Sequence, residues 1–285
     1  MSEDRNTISQ EILPTNIDNP VNLILIHSSA GSIKCTQINL QRAEAANTQL
    51  VQHVLDHEID IILLQQPYCR NGAIACLPLS WKMFQRKAQL NELPPRAAII
   101  CCNPQWSPLI IKQARDHDAI LLNYNISQII LSSIYSPPPE DISNAVDSIA
   151  EIHREHTTIP HVISGDLNAH NVIWGYPDTS PKGTALEEFI MTANLQLINT
   201  QNVPSTFDKS YNKGWPDLRI ATSNIANNIT DWMVTDDESC SDHKYIHFAI
   251  NTDTSITILK RYKIPGKKLH ALTKAFSDTL QSEEE

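Results

Sequence analysis

No stretch of the 285 residues holds the roughly eighteen consecutive apolar side chains that a bilayer-spanning helix requires. The run VNLILIH at 21–27 is too short to cross and has no basic segment before it, so neither a membrane span nor a signal peptide is expected. Cys35, Cys69, Cys76, Cys101, Cys102 and Cys240 form no CxxC knuckle and no dense spacing, which fits reduced thiols in the nucleus or cytoplasm. LIHSSAG lacks the glycine density and the lysine of a phosphate-cradling loop, and no serine–histidine pair sits in a nucleophile elbow. His153, His156, His161 and His170 are scattered over helix, turn and loop, so no zinc site is expected from them. The run Asp116, His117, Asp118 reads as a solvated turn. Positive charge is also short: 22 basic against 32 acidic residues leave a net charge of −10. That argues against broad, unaided attraction to a polyphosphate. It does not exclude a nuclease, because a divalent cation reverses the local sign of an acidic cluster.

What is present is a 41% hydrophobic chain with no internal repeat and no flexible linker through its middle. Residues 1–20 are polar and read as a loose arm. Strands are expected at 21–27, 33–40 and 59–64, with a helix over 42–57 where Ala43, Ala46, Leu50, Val54 and Leu55 approach helical spacing. Shorter strands follow at 72–77, 81–85, 97–102, 107–113, 119–124 and 129–135. SPPPED then leads into a helix over 142–154 with an acidic first turn. IPHVISGD at 159–166 is a further central strand, followed by a long loop, a helix over 184–193 and strands near 196–198, 217–221, 229–234 and 244–250. LHALTKAFSDTL near the C-terminus is amphipathic and reads as a short helix within an extension over 251–285. Many strands and few helices imply one α/β domain over 21–250, a layered sheet core with helices outside it.

The sharpest chemistry lies in SGDLNAHN. Asp166 and Asn168 are two apart and share a side in an extended segment. A carboxylate accepts a proton or holds a cation, and an amide orients a phosphoryl oxygen or a water without adding charge. The same residues also read as an Asx-rich turn closing a strand. In SDHK, Asp242 precedes His243, an imidazole able to support a developing oxyanion. Such a histidine needs a partner to fix its tautomer, and Asp217 in WPDL is a candidate. Asn39 and Tyr135 end two other strands. Trp174 and Tyr176, in the loop after GDLN, offer rings that stack on a base or sugar, or that cover a sheet edge.

TQINL, LLQQPY, PRAAI, IYSPP, SGDLNAHN, WPDL and SDHKYI occur in the order seen in the endonuclease/exonuclease/phosphatase superfamily. The chain resembles most the endonuclease domains of insect-type non-LTR retrotransposons, and ITDWMVTDDESCSDHKYI strengthens that narrower likeness. The resemblance covers about residues 33–250. It implies a four-layer sandwich in which two mainly antiparallel β-sheets pack face to face between outer helices. It also implies phosphodiester cleavage with Mg²⁺ or Mn²⁺, with DNA as partner and RNA or a protein as alternatives. Carried over by motif, Asn39, Gln66 and Asp242 belong to the metal side. Tyr135 contacts the scissile phosphate, which Asn168 helps to position. Asp166 activates the attacking water, and Asp217 orients His243, which stabilises charge on the phosphoryl oxygens.

One position departs from the family pattern. The residue matching the usual glutamate ligand of the QEP-like motif is Gln66. Glutamine offers one neutral carbonyl oxygen and an amide donor where glutamate offers a charge and several lone pairs. Mg²⁺ prefers carboxylate oxygen, and losing about 1.4 kcal/mol of stabilisation costs about tenfold in rate. Gln65 is expected on the opposite face of its strand and so cannot replace Gln66. Slow turnover through the remaining acids and a catalytically silent binding role both follow from this sequence.

Overall fold

The computed structural model describes residues 21–26, 31–89, 91–124, 127–199, 204–210, 212–251 and 257–262, the first and last of these by backbone alone. Two units divide the chain: Ala30–Asp253, and Met1–Ser29 together with Thr254–Glu285. In the second unit Val21–Ile26 runs antiparallel to Thr257–Tyr262, with Val21 opposite Tyr262. The expected strand at 21–27 is therefore present, and its partner is a C-terminal segment rather than either large sheet. The expected arm at 1–20 and helix at 269–280 lie outside the described residues.

The unit Ala30–Asp253 holds two six-stranded sheets. Their strands, in chain order, are β1 (Ser32–Asn39), β2 (Ile61–Gln65), β3 (Lys82–Phe84), β4 (Ala97–Cys101), β5 (Leu109–Gln113), β6 (His117–Tyr124), β7 (Ser127–Tyr135), β8 (His161–Asp166), β9 (Leu195–Leu197), β10 (Asp217–Thr222), β11 (Ile229–Val234) and β12 (Ile246–Asn251). The first sheet has the order β11-β12-β1-β2-β4-β3, and the second β9-β10-β8-β7-β6-β5. Each contains one parallel pair at its centre, β1 with β2 and β7 with β8, and is otherwise antiparallel. A parallel pair needs a crossover. Helix α1 (Glu44–His57) supplies one crossover and α2 (Ser143–Glu155) the other.

Alternation along the strands assigns the layers. Ile33, Cys35, Ile61, Leu63 and Ile99 of the first sheet meet Ile120, Leu122, Ile129, Leu131, Val162 and Ala221 of the second in a core between the sheets. The other face of the first sheet, with Ile38, Ile62 and Leu64, packs on Ala46, Leu50 and Val54 of α1. The other face of the second, with Ile134, Ile163 and Ile220, packs on Ile149 of α2 and on Leu186 and Ile190 of α3 (Pro181–Thr192). These are the four layers implied by the resemblance. Helix α3 starts three residues earlier than expected. Ser180 caps it by accepting from the Gly183 N–H at 3.1 Å, and Pro181 fits the first helical position. The expected acidic first turn of α2 is absent. Asp141 lies before the helix, where its carboxylate accepts from the Ser143 N–H at 2.7 Å.

One other expectation is corrected by burial. His117 and Asp118 open β6 and are buried, and Asp116 pairs with Arg96, so this run is not a solvated turn. Gln65 lies on the inter-sheet face and donates to Ser133 Oγ at 2.9 Å. It joins the packed floor beneath the candidate site.

Candidate active site

Both sheets turn polar at one end of their shared inner face. Along β1 the inward positions run Ile33, Cys35, Gln37, Asn39, and along β7 they run Ile129, Leu131, Ser133, Tyr135. The same change occurs in β8 through Val162, Ser164 and Asp166, and in β10 from Ala221 back through Arg219 to Asp217. Register aligns the ends: Asn39 lies opposite Gln65, Tyr135 opposite Asp166, and Asp166 opposite Asp217. Beneath them Gln37, Gln65, Ser133, Ser164 and Arg219 form a buried polar layer. Within it Arg219 Nε donates to Ser164 Oγ at 3.0 Å, and the guanidinium lies 3.5 Å over the Phe248 ring.

Asp166 sits at the centre, 2% exposed. Its Oδ2 accepts from Asn39 Nδ2 at 2.7 Å and its Oδ1 from Asn168 Nδ2 at 2.5 Å. Asn168 reaches it from a left-handed backbone (φ 47°), a conformation asparagine tolerates well, rather than by strand alternation. Burial raises the pKa of Asp166 first, and the neighbouring Asp217 adds to this. His243 and the hydrogen bonds from Asn39 and Asn168 oppose the rise without cancelling it.

His243 is equally enclosed. Its Nδ1 stands 3.0 Å from Asp217 Oδ2, and its Nε2 points toward Asp166 Oδ2 at 3.8 Å. Phe207 stands edge-on to its ring, with centroids 5.0 Å apart. Gln37 Nε2 donates to the other Asp217 oxygen at 3.3 Å, which fixes the carboxylate. Burial alone lowers the His243 pKa. The charge and hydrogen bond of Asp217, with Asp166 and Asp242 nearby, outweigh it and leave the imidazole above its ordinary value. Ligand atoms of Asp166, Asp217 and His243 lie within 4.8 Å of one another.

Asp242 occupies the next position along. Its N–H donates to Gln41 Oε1 at 3.0 Å, while its Oδ2 accepts from Gln41 Nε2 at 3.1 Å and pairs with Lys209 Nζ at 3.2 Å. Partial burial works to raise its pKa, but the Gln41 and Lys209 contacts hold it below the usual carboxylate range. Asn39 Oδ1 accepts from the Gln41 N–H at 2.9 Å, and the Ser241 hydroxyl donates to Asn39 O at 2.7 Å, so this loop is fastened to the end of β1. Gln66 follows β2 at the same edge with φ 44°. Its N–H donates to Arg96 O and its carbonyl accepts from Arg42 N, each at 2.8 Å. Asn39, Gln41, Gln66 and Asp242, all at this edge, carry side-chain oxygens. Only one of the four is a carboxylate, and it is shared with Lys209.

Tyr135 is 7% exposed, with the Arg96 guanidinium 5.3 Å from its ring centre. Burial, then Asp166, pushes its phenol up to about 12, which keeps it a neutral donor. Two clefts flank the 136–141 turn. One of about 310 Å³ is lined by Arg115, Tyr135 and Glu140, and one of about 560 Å³ by Asn168, His170 and Lys182.

Trp174 does not join the site. It is 4% exposed among Leu186 and Ile190, with Nε1 donating to Ala169 O at 2.8 Å, so no ring face is free to stack on a base. Tyr176 is half-buried, and one face is already stacked on His170 at 4.0 Å. Sequence reasoning missed Gln37, Gln41 and Lys209. Gln37 was accessible, being two residues before Asn39 on the same strand face. Lys209 was not, because it arrives from a hairpin (Phe207–Lys209 with Asn212–Gly214) whose position depends on the fold.

A family model described as endonuclease-reverse transcriptase matches residues 129–247. Over 149 residues the chain is 25% identical to the RNA-directed DNA polymerase from mobile element jockey of Drosophila melanogaster. That match covers 51% of this chain and 16% of that protein, so the chain spans a small part of its relative. Among solved structures it is similar to the endonuclease domain of TRAS1, a telomere-specific non-LTR retrotransposon. The TM-score is 0.68 at 24% identity, covering 76% of this chain and 97% of that one. It is also similar to the AP endonuclease LMAP from Leishmania major, with a TM-score of 0.62 at 13% identity, covering 78% and 88%.

Proposed function

We propose that this chain is a member of the endonuclease/exonuclease/phosphatase superfamily and hydrolyses phosphodiester bonds in DNA with the help of Mg²⁺ or Mn²⁺, a reading supported by the family match and by the likeness of fold. The observation that carries the reading is the setting of Asp166, tied by amides on both oxygens and facing His243 Nε2 at 3.8 Å. In this reading water attacks phosphorus and gives its proton to Asp166, whose raised pKa suits a general base. Asp217 holds the Nδ1 proton of His243, so Nε2–H is presented to the phosphoryl oxygens as negative charge grows on them. Asn168 and the neutral Tyr135 phenol donate to the same phosphate. The P–O bond opposite the attacking water breaks, and the departing oxygen takes a proton from bulk water. A divalent ion held by Asp242 and the carbonyls of Asn39, Gln41 and Gln66 would draw charge from the phosphate.

Plasmid nicking in Mg²⁺ or Mn²⁺ tests the proposal. Supercoiled DNA is expected to relax with the unaltered protein and not with Asp166→Ala or His243→Ala. Equal rates in all three reject it. A second reading, a silent nucleic-acid- or protein-binding member of the fold, is favoured by Gln66 and by the Lys209–Asp242 pair on the metal side. It predicts metal-independent affinity without turnover.

A further inference from the structure

Away from the basin, α1 carries two histidines, His53 and His57, one turn apart and on one face. His53 is buried and stacked on Tyr245 with centroids 3.5 Å apart. Its Nδ1 lies 3.5 Å from Asp237 Oδ2, and His57 Nε2 lies 3.1 Å from the same oxygen. His57 and Asp237 are 38% and 44% exposed, so the cluster opens to solvent on that side. One ligand atom from each of the three falls within 4.8 Å of the others. Behind them His247, on β12, places Nε2 at 2.7 Å from His53 Nε2.

A hydrogen-bonded surface cluster is the simplest alternative, and it accounts for His57 with Asp237. It does not account for His53, whose Nδ1 is too far from Asp237 for a hydrogen bond. Two donors that each stand about 2.0–2.1 Å from a tetrahedral Zn²⁺ are themselves about 3.3 Å apart, and the two observed separations bracket that value. The His53–His247 contact has the matching chemistry. Only one proton fits between the two nitrogens, and if His53 Nε2 carries it, the Nδ1 lone pair faces His57 and Asp237. Metal-bound histidines commonly donate their second ring N–H in this way. Burial, with His247 and His57 beside it, pushes His53 down to about 3. Burial likewise pushes His247 down to about 4, so both rings are neutral near pH 7.

We propose that His53, His57 and Asp237 bind a transition-metal ion, Zn²⁺ by donor type, with His247 as the positioning residue that fixes the His53 tautomer and solvent in the fourth place. The ion would brace the catalytic loop. Asp237 lies six residues before His243, and Ser239 between them donates its hydroxyl to His243 O at 2.6 Å. Metal binding therefore ties the loop bearing His243 to α1.

The test uses the full chain, stripped with a chelator and titrated with Zn²⁺ or Co²⁺. One equivalent of Co²⁺ should give the visible absorption of a tetrahedral nitrogen–oxygen site without an intense near-ultraviolet thiolate band. One equivalent of Zn²⁺ should raise the Tm. His57→Ala and Asp237→Asn, both at half-exposed positions, should each weaken Zn²⁺ binding about ten- to hundredfold with an unchanged circular dichroism spectrum. Asp166→Ala should leave it unchanged. His247→Gln, which keeps an acceptor, should hold affinity better than His247→Ala. The assignment is overturned if no ion binds, if binding survives both His57→Ala and Asp237→Asn, if it is lost with Asp166→Ala, or if a thiolate band appears.

Discussion

At the residue scale, the edge of the basin proposed to hold the metal is short of charge. Asn39, Gln41 and Gln66 contribute amide oxygens, and the single carboxylate, Asp242, is engaged by Gln41 and Lys209. Restoring one formal negative charge is expected to matter most at Gln66, whose side chain makes no hydrogen bond to another described residue while its backbone is fixed at both ends. Gln66→Glu should raise Mg²⁺-supported nicking by about tenfold or more, the equivalent of about 1.4 kcal/mol of transition-state stabilisation. Rates measured at saturating DNA over a Mg²⁺ series check this, and an unchanged rate at every concentration contradicts it. The imidazole side offers a second test. Asp217→Asn keeps the shape but loses the charge that holds His243 above its ordinary pKa. Nicking should fall by about a hundredfold, and the His243 ring should titrate lower by NMR.

At the element scale, the site is made by two parallel pairs that end together, and one glycine sets the closeness of the second pair. A Cβ on Gly165 would stand 2.1 Å from Ile134 O and 2.5 Å from Ile134 Cγ2. Backbone cannot yield cheaply, so Gly165→Ala should spread β7 from β8 and displace Tyr135 and Asp166 at their ends. A loss of about 1–3 kcal/mol in urea unfolding is expected, with nicking reduced even where the variant is fully folded. Activity that follows the folded fraction alone argues against this coupling. Much of this level was legible in the sequence. Short apolar runs marked β1, β2, β7 and β8, and each ended on a polar residue that the structure gathers at one end of the sheets. What escaped depended on contacts distant in sequence. Trp174 looked available in its loop until α3 closed over it. The sequence gives no sign that His247 and Asp237 stand beside α1, because β12 pairs with β1 across 210 positions. The strand at Val21–Ile26 read correctly as a strand, yet nothing local named Thr257–Tyr262 as its partner.

At the scale of the whole molecule, buried ionisable groups set opposing slopes of stability with pH. His53, His117, His161 and His247 are held below the ordinary histidine value, mainly by burial. His117 and His161 share Ser132 Oγ, at 3.0 and 2.7 Å, and His117 also meets Ser148 of α2 at 2.7 Å. As pH falls below about 6.5, the unfolded chain takes up protons that these four rings refuse when folded, so stability declines toward the folded values. Asp118 and Asp166 act the other way. Burial pushes Asp118 up to about 8, against a weaker opposing contact with the Ala114 backbone, and Asp166 is raised as well. Between the unfolded carboxylate range and the raised values the native state holds these two protons more tightly, so stability rises as pH drops from about 8 toward 6.5. Four histidines against two carboxylates leave a net uptake of about two protons on unfolding near pH 5, a slope on the order of 2–3 kcal/mol per pH unit. Urea midpoints of the metal-free protein should therefore peak near pH 6.5 and fall on both sides. Asp118→Asn, which mimics the protonated acid, should raise the midpoint at pH 8.5 and change it little at pH 6. A midpoint that climbs steadily from pH 5 to pH 8.5, or an Asp118→Asn effect equal at both ends, would mean that these buried groups do not control the stability of the fold.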